Sequence, residues 1–155
     1  MTHPGVERVE TRLRELGVSG DVRWLDDSAP TAAAAAAALG IEVGAIANSL
    51  VFLLDGVPLL VMTSGSHRVD TGWLGEQLGG TIGRADAATV KQATGQTIGG
   101  VAPIGHPTPL RTIVDAHLAD YPQLWAAAGH AHTVFPLSFD ELVRITDGDV
   151  RAVTT

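Results

Sequence analysis

The chain has 155 residues, a length suited to one domain that buries a sizeable core without disulfide or metal staples. It contains no cysteine, which excludes disulfides and thiolate chemistry and fits a reducing compartment. The formal net charge is −7 and Lys91 is the only lysine, a poor balance for gripping nucleic-acid phosphates by bulk electrostatics, so RNA contact falls to a few arginines. The N-terminus lacks a basic start followed by an apolar run, so no secretory signal is expected. No stretch approaches the roughly 20 apolar residues of a membrane span.

Residues 6–16 place Val6, Val9, Leu13 and Leu16 at helical spacing, with charged residues between them and Gly17 as the stop. Val22–Leu25 is expected to be a short strand. Asp26, Asp27, Ser28 and Pro30 then offer caps and a proline near a helix start. The alanines from Ala32 to Ala38 form that helix, closed by Gly40; the plain expectation is a packing helix that a neighbour approaches closely. From Ser49 to Leu54 the chain is almost wholly apolar, as in a strand covered on both faces. Asp55-Gly56 marks a hairpin, and Pro58–Met62 returns as the partner strand. The polar pair Asn48 and Ser49 opens the first strand at the rim of the sheet, as turn formers or as site groups.

After the polar loop Thr63–Asp70, Asp70 is positioned to cap a helix bearing Trp73, Leu74 and Leu78 and ending at Gly79. A short extended piece at 81–83 precedes a helix from Asp86 to Thr94, stopped by Gly95. Residues 111–115 read as a strand ending in a carboxylate. A strand over 124–128 turns at Gly129–His132 into another over 133–137. Ser138 and Glu141 form a capping-box pattern before Leu142, Val143 and Ile145. A last strand runs from Val150 to Val153. The sum is five helices and six or seven strands, in a mixed α/β (α+β) arrangement, because hairpins and crossovers both occur.

The segment Gly95–His106 holds four glycines and a proline, with no charged side chain unless His106 is protonated. It cannot be a helix interior, where glycine costs about 1 kcal/mol and proline about 3 kcal/mol. Ile98, Val101, Ala102 and Ile104 argue against a solvated linker. It is either a tight connection between core elements or a loop that lets a ligand approach the main chain. Other chemistries fit less well. His130 and His132 lack a third metal ligand at a recognisable spacing. Ser64 and Ser66 lie near His67, but no nucleophile elbow is present. The glycine loop lacks the Gly-Lys-Ser/Thr ending of a P-loop. Asp115 is either a site carboxylate or the cap of the following turn.

In order, these pieces resemble the YbaK family, the aminoacyl-tRNA deacylases that include the prolyl-tRNA-synthetase-associated editing domain. The resemblance is carried by the alanine-rich helix ending at Leu39-Gly40, by residues 46–52 and the hairpin at Asp55-Gly56, and by Ser64–Asp70. It continues through Thr94-Gly95, the Gly99-x-x-x-Pro103 loop, Val114-Asp115, Ala128-Gly129 and Asp140–Arg144. It covers residues 28–150 or so, within a single editing domain spanning 1–155 onto which the N-terminal helix and strand (1–27) pack.

The resemblance implies a mixed, strongly curved sheet of six to seven strands with surrounding helices. It implies hydrolysis in trans of a wrong amino acid from the 3′ end of a charged tRNA, of prolyl type and bearing a small residue. It implies no cofactor and no metal, a cytoplasmic location, an aminoacylated tRNA end and an aminoacyl-tRNA synthetase as partners, and neither membrane nor DNA. The implied catalytic residues are Asn48, Gly99, Gly100, Val101 and Ala102. The implied substrate-binding residues are Ser49, Ser64, Gly65, Pro103, Ile104, Gly105, His106, Asp115, Gly129, His130 and His132. In the family the loop's main chain surrounds the scissile ester, and a water is placed by backbone and by the tRNA's own ribose hydroxyl. The chain departs from the pattern in two places. Asn48 stands where a lysine is usual, and Ala127 or Ala128 and Val134 fall where some members carry serine and aspartate. The alternative is a degenerate module of the same family that binds an aminoacyl ligand, a tRNA end or a synthetase without hydrolysis.

Overall fold

The computed structural model describes residues 3–26 and 31–155. The expected caps at Asp27 and Ser28 and the proline at Pro30 lie outside the described residues, whereas Asp26 is described and does not cap the alanine helix, whose N-cap is Thr31. Helix α1 spans Pro4–Glu15, and strand β1 spans Arg23–Trp24. Helix α2 (Ala32–Leu39) begins at Thr31, whose hydroxyl accepts the Ala34 N–H, and ends at Gly40 in the left-handed conformation. A 3-10 turn over Val43–Ala45 leads into the hairpin β2 (Ala47–Leu54) and β3 (Val57–Ser64). Helix α3 (Thr71–Leu78), strand β4 (Ile82–Arg84) and helix α4 (Ala87–Thr94) follow, with Asp70 and Asp86 as the two N-caps. The glycine loop then connects to β5 (Arg111–Asp115). Strands β6 (Leu124–Ala126) and β7 (Thr133–Leu137), helix α5 (Phe139–Thr146) and strand β8 (Asp149–Arg151) complete the chain.

The five helices fall where the apolar spacing put them, and α5 carries the expected Ser138–Glu141 capping box. The strands differ in number and grouping. Among the described residues there are eight, in two sheets instead of one: a five-stranded mixed sheet ordered β4-β2-β3-β5-β8 and a three-stranded sheet ordered β1-β7-β6. A single parallel bridge, Ile46 to Trp125, joins them. Two-residue and three-residue strands carry too little periodicity to register in a sequence. Strand grouping depends on long-range pairing that periodicity does not encode.

The large sheet has two different faces. Leu60 and Met62 of β3, with Ala47 and Val114, point into a core shared with Val9 and Leu13 of α1, the glycine loop, Phe135 and Leu142. Burying each large side chain of this kind stabilises the fold by about 1.5–3 kcal/mol. Leu59, Val61 and Ile113 point the other way, against Leu74 of α3 and Val153. Ala35 and Ala36 of α2 pack closely on Ile46 and Val134, so the alanine helix sits over the junction of the two sheets.

Candidate active site

The junction encloses a cavity of about 330 Å³, within the size range of small-molecule sites. Its walls are Ala32 and Ala35 of α2, residues 46–50 on and before β2, Ile98, Gly99 and Val101 of the glycine loop, Trp125 to Ala127, and Thr133 and Val134. Among the described residues, no charged side chain lines it. The hydroxyls of Thr31, Ser49 and Thr133 are each engaged, by the Ala34 N–H, by Met62 Sδ at 3.2 Å and by the His130 carbonyl at 2.7 Å. Among the described residues, no hydrogen bond occupies the Asn48 side chain, which borders the cavity.

Main-chain groups supply further polarity. Ile46 accepts the Gly65 N–H at 2.9 Å on the β3 side, and the Asp55 N–H donates to Thr81 at 2.9 Å on the β4 side. Because main-chain groups alternate between the two edges of a strand, these bonds fix the phase. Even-numbered residues of β2 serve β3, and odd-numbered ones face outward. Pairing with β4 covers only Phe52, Leu53 and Leu54, and the bridge to Trp125 covers the other end. Among the described residues the N–H and C=O of Ser49 fall in the gap without a main-chain partner, and Ser49 and Gly99 both line the cavity.

The loop that forms the facing wall is held from behind. Gln96 is buried; its Nε2 donates to the Ile104 carbonyl at 3.1 Å, and its Oε1 accepts the Ala102 N–H at 2.6 Å. Gly99 has φ +93°, a left-handed conformation that favours glycine. Gly100 is required for a different reason. A Cβ there would lie 2.5 Å from the His130 carbonyl carbon, because the loop packs main chain to main chain on the Gly129–His132 turn. Its carbonyl accepts the Gly129 N–H at 2.8 Å.

Four of the residues expected at the site line this cavity: Asn48, Ser49, Gly99 and Val101. Gly100 and Ala102 stand behind the wall. Pro103, Ile104, Gly105 and His106 line a separate depression beside Arg12 and Ile145. There His106 Nε2–H donates to the Ala102 carbonyl at 2.8 Å. Burial pushes the His106 imidazole below its usual pKa, and that hydrogen bond offsets part of the shift. Ser64 is buried, with its hydroxyl on the Gly44 carbonyl at 2.7 Å, and Gly65 presses against the Val43 carbonyl.

Asp115 caps the turn that follows it by accepting the His117 N–H. It also accepts the Ser64 N–H and the Thr63 hydroxyl and pairs with His67, at 3.0, 3.2 and 2.9 Å. Gly129, His130 and His132 form the turn that backs the glycine loop. His130 stacks edgewise with His3 and lies 5.2 Å from the ring of Trp24. Its pKa is lowered by burial and then by the charges of His3 and His132. Among the described residues, no group of three metal-ligating side chains is gathered.

Sequence reasoning passed over Trp125, Thr133, Ile98 and Gln96. Gln96 carried a legible signal, as a polar side chain inside an otherwise apolar glycine segment. Trp125 and Thr133 carried none, since they reach the cavity only by the docking of the small sheet.

The sequence profile of the aminoacyl-tRNA editing domain matches residues 26–145. The chain belongs to the aminoacyl-tRNA editing domain family. A candidate trans-editing enzyme for prolyl-tRNA synthetase is 36% identical, with a TM-score of 0.93, over 100% of this chain and 99% of that one. A hypothetical protein, APE2540, is 27% identical with a TM-score of 0.86, over 94% of this chain and 98% of that one. The uncharacterized protein YwhH of Bacillus subtilis (strain 168) is 25% identical over 138 residues, 88% of each chain. Within this editing domain, Ala127 and Val134 face the cavity whereas Ala128 is buried and does not. Ala127 and Val134 thus give this part of the wall hydrocarbon side chains. No helix among the described residues is long and apolar enough to cross a membrane.

Proposed function

We propose that the protein is a trans-acting aminoacyl-tRNA deacylase that removes a small, apolar wrong amino acid from a tRNA of prolyl type. The observation that carries this reading is the pairing of the Gly99–Val101 wall with the open main-chain edge of Ser49 across one small cavity. The aminoacyl side chain lies against Ala32, Ala35, Ala127 and Val134. Its polar groups meet the Ser49 N–H and C=O and the Asn48 amide.

Catalysis then works through positioning and fixed dipoles, with no covalent intermediate on the enzyme. Water attacks the ester carbonyl carbon, the bond to the ribose oxygen breaks, and that oxygen takes a proton. The products are the free amino acid and uncharged tRNA. Main-chain N–H groups facing the carbonyl oxygen stabilise the charge that develops there.

The test is release of amino acid from a panel of mischarged tRNAs by the purified protein, with a lysine-bearing relative in parallel. Release from a tRNA charged with a small residue is expected. No release above buffer from any of them, with the relative active, overturns the reading.

The uncharged Asn48 favours a second reading, a module that binds the same ligand without hydrolysis. The variant Asn48→Lys separates the two. A charge-assisted contact is worth about 1.5–3 kcal/mol, or about one to two decades in rate. An increase of that size over a measurable parental rate marks the parent as an enzyme. Activity appearing only in the variant marks it as a binding module.

A further inference from the structure

The sheet face opposite the glycine loop carries Asn48, Leu50 and Phe52, and it opens onto a second cavity of about 470 Å³. Thr63, the cross-strand partner of Asn48, and Arg84, the partner of Phe52, lie on that same face. Asn48 and Leu50 border both cavities, which meet at the stretch of β2 whose outer edge β4 leaves uncovered.

Among the described residues, the ionisable side chains in the second cavity are Arg68, Arg84 and His67, with no carboxylate. In a chain with 17 acidic residues against 10 basic ones, that is a local inversion of sign. Both arginines are exposed, and among the described residues neither forms an ion pair. His67 is fixed on two sides. Its Nδ1 lies 2.9 Å from Oδ2 of the buried Asp115, and its ring stacks on His117 with centroids 4.5 Å apart. A carboxylate accepts, so Nδ1 carries the proton and Nε2 is the ring edge left for the cavity.

Two guanidinium groups and an oriented imidazole lining one cavity carry the chemistry that suits a phosphate, whose oxygens match the planar fork of arginine. We propose that this cavity binds the phosphate of the RNA's terminal nucleotide, with Arg68 and Arg84 as its charged ligands and His67 as a positioned third. This rests on the deacylase reading above. An ester lying across the open edge of β2 places its ribose at Asn48 and directs the adjoining phosphate onto this face. The acidic chain thereby holds an RNA end through a local contact and needs no broadly basic surface.

The experiment uses two hydrolysis-resistant probes, 3′-deoxy-3′-(L-alanylamino)adenosine with and without a 5′-phosphate, titrated calorimetrically at low salt. The phosphate should tighten binding by about tenfold or more, as expected for a charge-assisted contact, and added salt should shrink that ratio. In the Arg68→Ala, Arg84→Ala double variant the ratio should fall towards one. The corresponding double lysine variant should keep part of it, which separates loss of charge from loss of fold. A ratio near one in the unaltered protein, with the nucleoside still binding, overturns the phosphate site and leaves the deacylase reading standing. A phosphate gain that survives the alanine substitutions overturns the assignment of the arginines. If neither probe binds, both readings fall.

Discussion

Asp115 shows how one side chain is committed by its surroundings. It is 1% exposed and takes hydrogen bonds from two main-chain N–H groups and one hydroxyl while holding His67. Its place at a strand end was legible, and so was its capping role, because an aspartate before a turn bonds the N–H two residues on. Its grip on Thr63, Ser64 and His67 was not, since those partners are some fifty positions away. Asp115→Ala leaves several buried donors unpaired and should cost about 2–5 kcal/mol. Urea denaturation would read this as a lower midpoint, and Asp115→Asn should fall between the variant and the parent.

His106 makes a prediction of opposite electrostatic character. Its folded-state pKa is lowered by burial, so below its ordinary value of 6.5 the unfolded chain binds more protons than the folded one. Its neutral form is therefore favourable above about that pH, and stability declines as pH falls from there towards the folded pKa. Melting temperatures between pH 7.5 and 5 should drop, and His106→Gln should drop less over the same range. An equal slope in the variant would assign the loss to other groups, His130 among them.

At the scale of elements, helix ends followed sequence rules closely. Thr31, Asp70, Asp86 and Ser138 cap their helices, and Gly40, Gly79 and Gly95 end theirs in the left-handed conformation. The start of α1 did not, because its cap is the ring of His3, whose Nδ1 accepts the Val6 N–H at 3.2 Å. The glycine loop was legible as a segment, but its shape depends on Gln96 and on the turn behind Gly100. Removing the Gln96 amide leaves the Ala102 N–H and the Ile104 carbonyl without their partner. Gln96→Ala should therefore cost about 2–4 kcal/mol by the same measure of lost buried bonds. It should also lower deacylation beyond the loss of folded protein. Rates measured well below the variant's melting temperature test this, and an unchanged rate there would show that the loop holds its shape without the staple.

At the scale of the molecule, the two sheets share one hydrophobic core. Leu60 and Met62 of the large sheet and Leu124, Phe135 and Leu137 of the small one belong to the same cluster as Val9 and Leu13 of α1. Neither sheet buries its inner face without the other, so the chain should unfold in one cooperative step. Scanning calorimetry should give equal calorimetric and van't Hoff enthalpies. Two resolved transitions would show that the sheets are stable independently.

The sequence by itself determined the helices, the β2–β3 hairpin, the glycine loop and, through the order of these pieces, the family. Each of those depends on neighbours a few residues apart, where hydrophobic period, cap chemistry and backbone freedom act directly. Among the described residues, the tertiary structure alone decided that eight strands divide into two sheets and that Ser49 presents an unpaired main-chain edge. It alone placed Trp125, Thr133 and Val134 across from Gly99, and turned Pro103, Ile104, Gly105 and His106 away to another surface. Those outcomes depend on which distant strands pair and where pairing stops, and local periodicity carries no record of either.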